Sequence, residues 1–283
     1  MILLKDFIRE SVQALSPLYE EAEARSVVLL LCQKRLGVKS YTHIVEPGFE
    51  ILEEAPLQSD IKRLMAGEPV QYVLGYTDFC GRRFNVDRRV LIPRPETGLL
   101  VEEALRFART LDHPARILDL CTGSGCIAWS LALELPDAEV VAVDISGDAL
   151  EVARSQFPDY SGRVKFVQGD ILDMALSGAA LFDLIVSNPP YIMESQKTGM
   201  RPNVLDYEPG LALFVPDGDP LVFYRAISCI CAEMLAPSGL GIVEINDALP
   251  SETLKIFVSD GYRNAGIIKD FALRDRLISF SGK

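Results

Sequence analysis

The sequence predicts an α/β protein: a mostly parallel sheet covered by helices on both faces, an antiparallel strand at its edge, and a small helical domain in front. Two observations predict it. Short apolar runs at 117–120, 140–143, 164–167, 182–186 and 240–245 alternate with helix-length segments, the pattern of strands buried on both faces. Residues before about 72 show only helical spacing.

Taken in order, Ser16-Pro17 reads as a helix start, with Glu20 and Glu21 at the positive end and Gly37 as a left-handed cap. Ala24, Val27, Val28, Leu31 and Cys32 fall on one face of this helix. A shorter helix over 57–66 ends at Gly67, so 1–72 form a helical module too small to stand without a neighbour. Aromatic and β-branched runs around Cys80-Gly81-Arg82 predict a β-hairpin connector over 73–92. Pro93 and Pro95 stiffen the chain before a helix at 98–110, and 93–283 form the sheet domain. Within it, helices are expected to 135, from 148 and over 221–235, and segments near 267 and 277–280 supply the antiparallel pair.

Composition narrows the function. A formal net charge of −12 argues against a partner held mainly through phosphates. The six cysteines form no C-x-x-C pair and there are only two histidines, so no zinc-ligand spacing exists and the thiols read as reduced, cytosolic packing residues. The amino terminus carries acidic residues and no signal-like apolar run, and 27–32 is too short to span a bilayer. A cytoplasmic protein is expected.

The loop Asp119-Leu120-Cys121-Thr122-Gly123-Ser124-Gly125 joins the first strand to its helix, where glycines let a ligand approach the backbone. Asp144 ends the next strand, placed to accept from both hydroxyls of a ribose, and Asp170 follows the third, placed to accept from an adenine amine. Any one acid alone reads equally as a solvated strand end. Gly123, Gly125 and Ala128 also satisfy a relaxed dinucleotide fingerprint. Asp119 favours S-adenosylmethionine instead, since its carboxylate suits the amino group of a methionine moiety and repels a pyrophosphate.

Asn188-Pro189-Pro190-Tyr191 follows the apolar strand at 182–186, on the same sheet edge. The plain alternative, a stiff loop with an aromatic plug, leaves the asparagine unexplained. The Asn188 side-chain oxygen and the Pro189 carbonyl can each accept one N–H of a target NH₂, turning its face toward the sulfonium methyl. Pro190 limits the loop and Tyr191 can pack on a planar amide. No general base is needed before attack.

With these motifs the chain resembles the HemK/PrmC family of protein-(glutamine-N5) methyltransferases. Further matches are Gly67-Glu68-Pro69-Val70-Gln71-Tyr72, Leu91-Ile92-Pro93-Arg94-Pro95-Glu96-Thr97, Tyr207-Glu208-Pro209 and Ala212-Leu213. The resemblance implies a class I S-adenosylmethionine-dependent methyltransferase domain, Rossmann-like, behind a helical domain for substrate docking. It implies S-adenosyl-L-methionine as cofactor and class-one peptide chain release factors as protein substrate, methylated on the glutamine of Gly-Gly-Gln. It also places Arg94, Glu96 and Thr97 near the cofactor, while Glu208 supports either the active-site loop or only its fold. Two departures stand out. Cys121 occupies the position of a common glycine, and Ile171 that of a frequent tryptophan, so adenine stacking must be weaker or come from elsewhere.

Two other readings remain at this point. An adenine-N6 DNA methyltransferase would present the same exocyclic NH₂ to the same motif, although the acidic balance and lack of a basic recognition region oppose it. A non-catalytic adaptor of the translation machinery would leave the intact Asn188-Pro189-Pro190-Tyr191 without purpose.

Overall fold

The protein is described by a computed structural model covering residues 2–173 and 181–283. The chain divides into two compact units, Met1–Tyr76 with Arg201–Tyr207, and Thr77–Met200 with Glu208–Lys283.

The first unit opens with β1 (Ile2–Leu3), then α1 (Leu4–Leu15), α2 (Glu21–Leu36), α3 (Thr42–Val45), β2 (Glu50–Ile51), α4 (Ala55–Met65) and α5 (Val70–Leu74). Two expectations need correction. Leu4, Phe7, Ile8, Ser11 and Leu15 form the buried face of α1, a helix not anticipated from the sequence. Ser16-Pro17 therefore does not start a helix but ends one: Ser16 Oγ donates to the Gln13 carbonyl at 2.8 Å, and Pro17 cannot extend the ladder. The following helix begins at Glu21 and closes, as expected, at a left-handed Gly37 with φ +68°. The segment around Glu68 has a structural reason. Glu68 grips Arg63 with two 2.8 Å bonds, and Arg63 reaches on to the carbonyls of Tyr72 and Val73, satisfying carbonyls that the last turn of α5 leaves without a partner in the helix.

A hairpin of β3 (Tyr76–Phe79) and β4 (Arg82–Asn85) turns through Cys80 and Gly81, both at positive φ (+46° and +73°). That combination matches the twist of a two-residue hairpin. It stops at Asn85; 86–92 is irregular. The second unit continues with α6 (Gly98–Ala108), β5 (Arg116–Leu120), α7 (Cys126–Glu134), β6 (Glu139–Asp144), α8 (Gly147–Arg154), β7 (Val164–Gln168) and β8 (Phe182–Ser187). A small parallel pair follows, β9 (Ile192–Met193) and β10 (Phe214–Val215); between them α9 (Pro202–Leu205) belongs to the first unit. The remainder is α10 (Val222–Met234), β11 (Leu235–Glu244), α11 (Pro250–Ser259), β12 (Arg263–Lys269) and β13 (Asp275–Ser281). Helix α11 was not anticipated; few of its side chains, Thr253 and Phe257, are fully buried, so its periodic signal is faint.

The main sheet has seven strands in the order β12-β13-β11-β8-β5-β6-β7, parallel except for β13, which runs antiparallel to β11 and β12. This is the class I methyltransferase arrangement, α/β and Rossmann-like with an antiparallel edge. Register decides where ligands can sit. Leu120 pairs with Val143 on one side and Ser187 on the other, so residues 121, 144 and 188 leave the sheet side by side. The chain runs outward from β5 in one direction and returns to β8 in the other, which opens a crevice at these carboxyl ends.

Each face of the sheet has its own core. Trp129, Phe84, Leu100 and Ile127 lie in one, and Tyr224, Ile227, Phe257 and Phe280 in the other. On the second face Gly241 pairs across β11 and β13 with Phe280, whose ring lies over the glycine; a Cβ at 241 would sit 2.3 Å from it. Gly241→Val is expected to destabilise the fold by about 1–3 kcal/mol, through overpacking. A lowered midpoint in chemical denaturation is the check, and an unchanged midpoint would show that the ring moves aside freely.

Candidate active site

The turn after β5 is stitched to β6. Thr122 N donates to the Val143 carbonyl at 3.0 Å, and Gly123 N to Asp144 Oδ2 at 2.7 Å. Cys121 adopts φ +59°, so it takes the left-handed path a glycine would take, at a cost of about 1–2 kcal/mol. The backbone thereby follows a left-handed path despite the side chain. Burial first, and the neighbouring carboxylates next, push its thiol well above the usual range, which favours the neutral form. Gly125 needs to be glycine on two counts: φ is +77°, and a Cβ would lie 3.0 Å from the Ala153 side chain and 3.1 Å from Trp129.

Asp119 lies beneath this turn, fully buried. Its Oδ2 accepts from Thr122 Oγ1 at 2.6 Å and from Ala128 N at 3.2 Å, whereas Oδ1 has no partner among the described residues. Burial pushes the carboxyl up to about 7 against the pull of those two donors. A buried carboxylate oxygen left unsatisfied is an acceptor awaiting a donor.

Above the turn opens a cavity of about 320 Å³, within the usual range for small-molecule sites of roughly 300–1,000 Å³. Cys121, Thr122, Gly123 and Ser124 form one wall and Asp144, Asp170 and Ile171 another, with Asn188 and Pro190 opposite. Asp119, Gly125, Pro189 and Tyr191 are close in sequence to these residues but do not line it. The two oxygens of Asp144 accept from Gly123 N (2.7 Å) and Ser146 N (2.9 Å), and each retains capacity for a further hydrogen bond. Burial raises its pKa. Asp170 Oδ1 accepts from Leu172 N at 2.9 Å, which fixes the turn after β7. Ile171 reaches the cavity from the core, and Ile145 and Leu172, 43% and 48% exposed, line it as well. Apolar side chains thus line this part of the cavity without the tryptophan.

Asn188 leaves β8 with its carboxamide tied to one neighbour. Its Nδ2 donates to Thr97 Oγ1 at 3.3 Å, and Thr97 Oγ1 donates to Glu244 Oε2 at 2.7 Å. Glu244 Oε1 accepts from the Tyr191 hydroxyl at 3.1 Å. The Tyr191 main chain is held separately, by Asn246 Nδ2 on its carbonyl at 2.8 Å. Burial raises the pKa of Glu244, opposed by these two hydroxyl donors; burial and then Glu244 raise that of Tyr191.

A family model described as "Methyltransferase small domain" matches residues 99–204. A release factor glutamine methyltransferase of Bacteroides thetaiotaomicron is 41% identical over 279 residues, covering 96% of this chain and 97% of the relative. The chain belongs to the release factor glutamine methyltransferase family. Another member, from Flavobacterium psychrophilum, is 37% identical and covers 98% of each chain. Among solved structures, the ribosomal protein L11 methylase of Lactobacillus delbrueckii subsp. bulgaricus is 18% identical with a TM-score of 0.47, covering 69% of this chain and 82% of that one.

Other segments also acquire physical roles. Glu208 accepts from Ile92 N at 3.1 Å and from Arg94 Nη2 at 2.5 Å, so it braces the stretch that supplies Leu91, Pro93 and Arg94 to the cavity. Thr97 lines the cavity; Glu96 is exposed and does not. Sequence reasoning missed Glu244, Asn246, Ile145 and Leu172 as parts of this methyltransferase site. Glu244 carried a signal: it is an acid at the carboxyl end of an apolar strand, like Asp119 and Asp144.

Proposed function

We propose that this methyltransferase transfers a methyl group from S-adenosyl-L-methionine to the side-chain amide nitrogen, N5, of the glutamine in the Gly-Gly-Gln motif of class-one release factors. In this reading 1–72 dock the protein substrate, 73–92 connect and 93–283 carry the chemistry, in the cytoplasm. The observation that carries it, beyond family membership, is the Asn188 carboxamide, held by its nitrogen and so presenting its oxygen, beside the cavity at the sheet's carboxyl edge.

The residues fit the cofactor. Asp144 suits the ribose hydroxyls, Asp170 the adenine amine, the apolar side chains of Ile145, Ile171 and Leu172 the adenine ring, and the Asp119 oxygen without a partner among the described residues the amino group, through water since Asp119 lies behind the wall. When bound, S-adenosylmethionine supplies an electrophilic methyl on a positively charged sulfur and leaves as S-adenosyl-L-homocysteine. Asn188 Oδ1 and the Pro189 carbonyl accept the two N–H groups of the target amide and aim its face. Both acceptors bind more strongly as the nitrogen loses amide resonance and its hydrogens become acidic, which stabilises the transition state over the ground state. The extra proton leaves afterwards, so no base is needed beforehand. Pro190 stiffens the loop and Tyr191 anchors it.

The test offers labelled S-adenosylmethionine with purified release factors or duplex DNA, and maps the product by mass spectrometry. Label on the Gly-Gly-Gln glutamine is expected; label only on DNA adenine, or none at all, would sink the reading.

A pH dependence follows. The folded pKa of Asp119, about 7, lies above its ordinary 3.8. Its contribution to stability is therefore fully present below pH 3.8 and lost as pH rises through 7. Cofactor affinity has the opposite trend, because the ionised form attracts the cofactor's amino group more strongly through the bridging water. The dissociation constant is expected to fall roughly tenfold between pH 6 and 8, less so in Asp119→Asn. Calorimetry across that range checks it, and equal slopes in both proteins would remove Asp119 from the cofactor's partners.

A further inference from the structure

Resting on the reading that Asn188 Oδ1 receives an N–H of the target, we propose that Glu244, acting through Thr97, is the positioning residue that sets the hydrogen-bond polarity of Asn188. The two ends of a carboxamide are nearly the same size, so shape alone does not choose which end faces the substrate. Flipped, Asn188 would offer NH₂ to a substrate NH₂, donor against donor.

Counting hydrogens makes the choice. Both Glu244 oxygens accept, Oε2 from the Thr97 hydroxyl and Oε1 from the Tyr191 hydroxyl, so Thr97 has given its single hydroxyl hydrogen away. Thr97 then has only lone pairs left for Asn188, at 3.3 Å, and these can be met only by Nδ2. Oδ1 is the end left for the cavity. Glu244 is 1% exposed and Thr97 1%, so water cannot reverse the order cheaply. Neither residue needs to touch substrate. Tyr224 bonds the Glu244 main-chain carbonyl, not its carboxylate, so the strand's own anchoring is independent of the side chain.

The inference is tested with full-length protein, cofactor and release factor. Glu244→Gln can donate an N–H to Thr97, turning the hydroxyl's hydrogen toward Asn188 and favouring the wrong end. Turnover is expected to fall roughly tenfold, the worth of about one hydrogen-bond preference. Cofactor affinity should stay within about threefold, because the cofactor-binding acids are unchanged. Thr97→Val should lose a similar amount, and Thr97→Ser, which keeps the hydroxyl, should recover most of it. The decisive readout is the double variant: if both residues act through one path, E244Q adds little to T97V, whereas independent packing effects multiply to about a hundredfold. Multiplying losses, full turnover in E244Q, or a T97S as poor as T97V overturns the inference. Should E244Q fail to fold, Glu244→Asp, which shortens the reach to Thr97, takes its place in the same double-variant comparison. An inactive wild-type protein would count against the methyltransferase reading itself, and a working wild type with multiplying losses only against the relay.

Discussion

Replacing Asn188 by alanine is expected to lower the rate of methyl transfer by roughly 10²–10³-fold while leaving cofactor affinity within about threefold, the scale seen when one preorganised charge-stabilising partner is removed. The lone pair of an amide nitrogen is spread into its carbonyl, so the ground state offers little nucleophile and little charge to grip. As the nitrogen pyramidalises, its N–H groups become strong donors, and an acceptor already in place is worth most at that moment. Asn188 is in place because its other end is tied to Thr97. Alanine removes the side-chain acceptor but not the Pro189 carbonyl, so a residual rate should persist. Single-turnover transfer of labelled methyl, with calorimetric cofactor binding and a thermal melt, separates chemistry from binding and folding. Near-normal turnover would falsify the role of the side chain.

The sheet domain was legible because its strands are short, apolar and separated by helices, a pattern that few arrangements satisfy. What strand runs alone did not convey is register. That Leu120 lies level with both Val143 and Ser187, which brings the turn at 121, the acid at 144 and the asparagine at 188 together, depends on pairing between strands. The helical unit was read less well. Leu4, Phe7, Ile8 and Leu15 do carry a helical period, but Ser16-Pro17 drew the start signal forward, although serine there caps the end of α1. The position of the acids at 119, 144 and 170 was legible because each sits at or beside a strand end. The Asn188, Thr97 and Glu244 chain was not, since it joins residues 91 and 147 positions apart that share no periodic pattern. Cys121 shows a different limit: its departure from glycine suggests a changed loop, yet φ +59° preserves the same path.

Replacing Asp144 by alanine should affect the other half of the reaction, weakening cofactor binding by roughly 10²–10⁴-fold as two charge-assisted hydrogen bonds, worth about 1.5–3 kcal/mol each, are lost. Its carboxylate already has two tasks, holding Gly123 N and Ser146 N at opposite oxygens. The turn after β5 and the start of α8 are therefore both set by the group proposed to face the ribose, so binding should lose preorganisation as well as contacts. Asp144→Asn keeps one accepting oxygen and should fall between wild type and alanine. At saturating cofactor the turnover should recover toward wild type in both, because Asp144 does not touch the Asn188 carboxamide or its tie to Thr97. A dissociation constant unchanged by alanine would show that the ribose is gripped elsewhere. A turnover that stays low at saturation would show instead that the turn at 121–125 orients the methyl, making the cofactor loop part of the catalytic geometry.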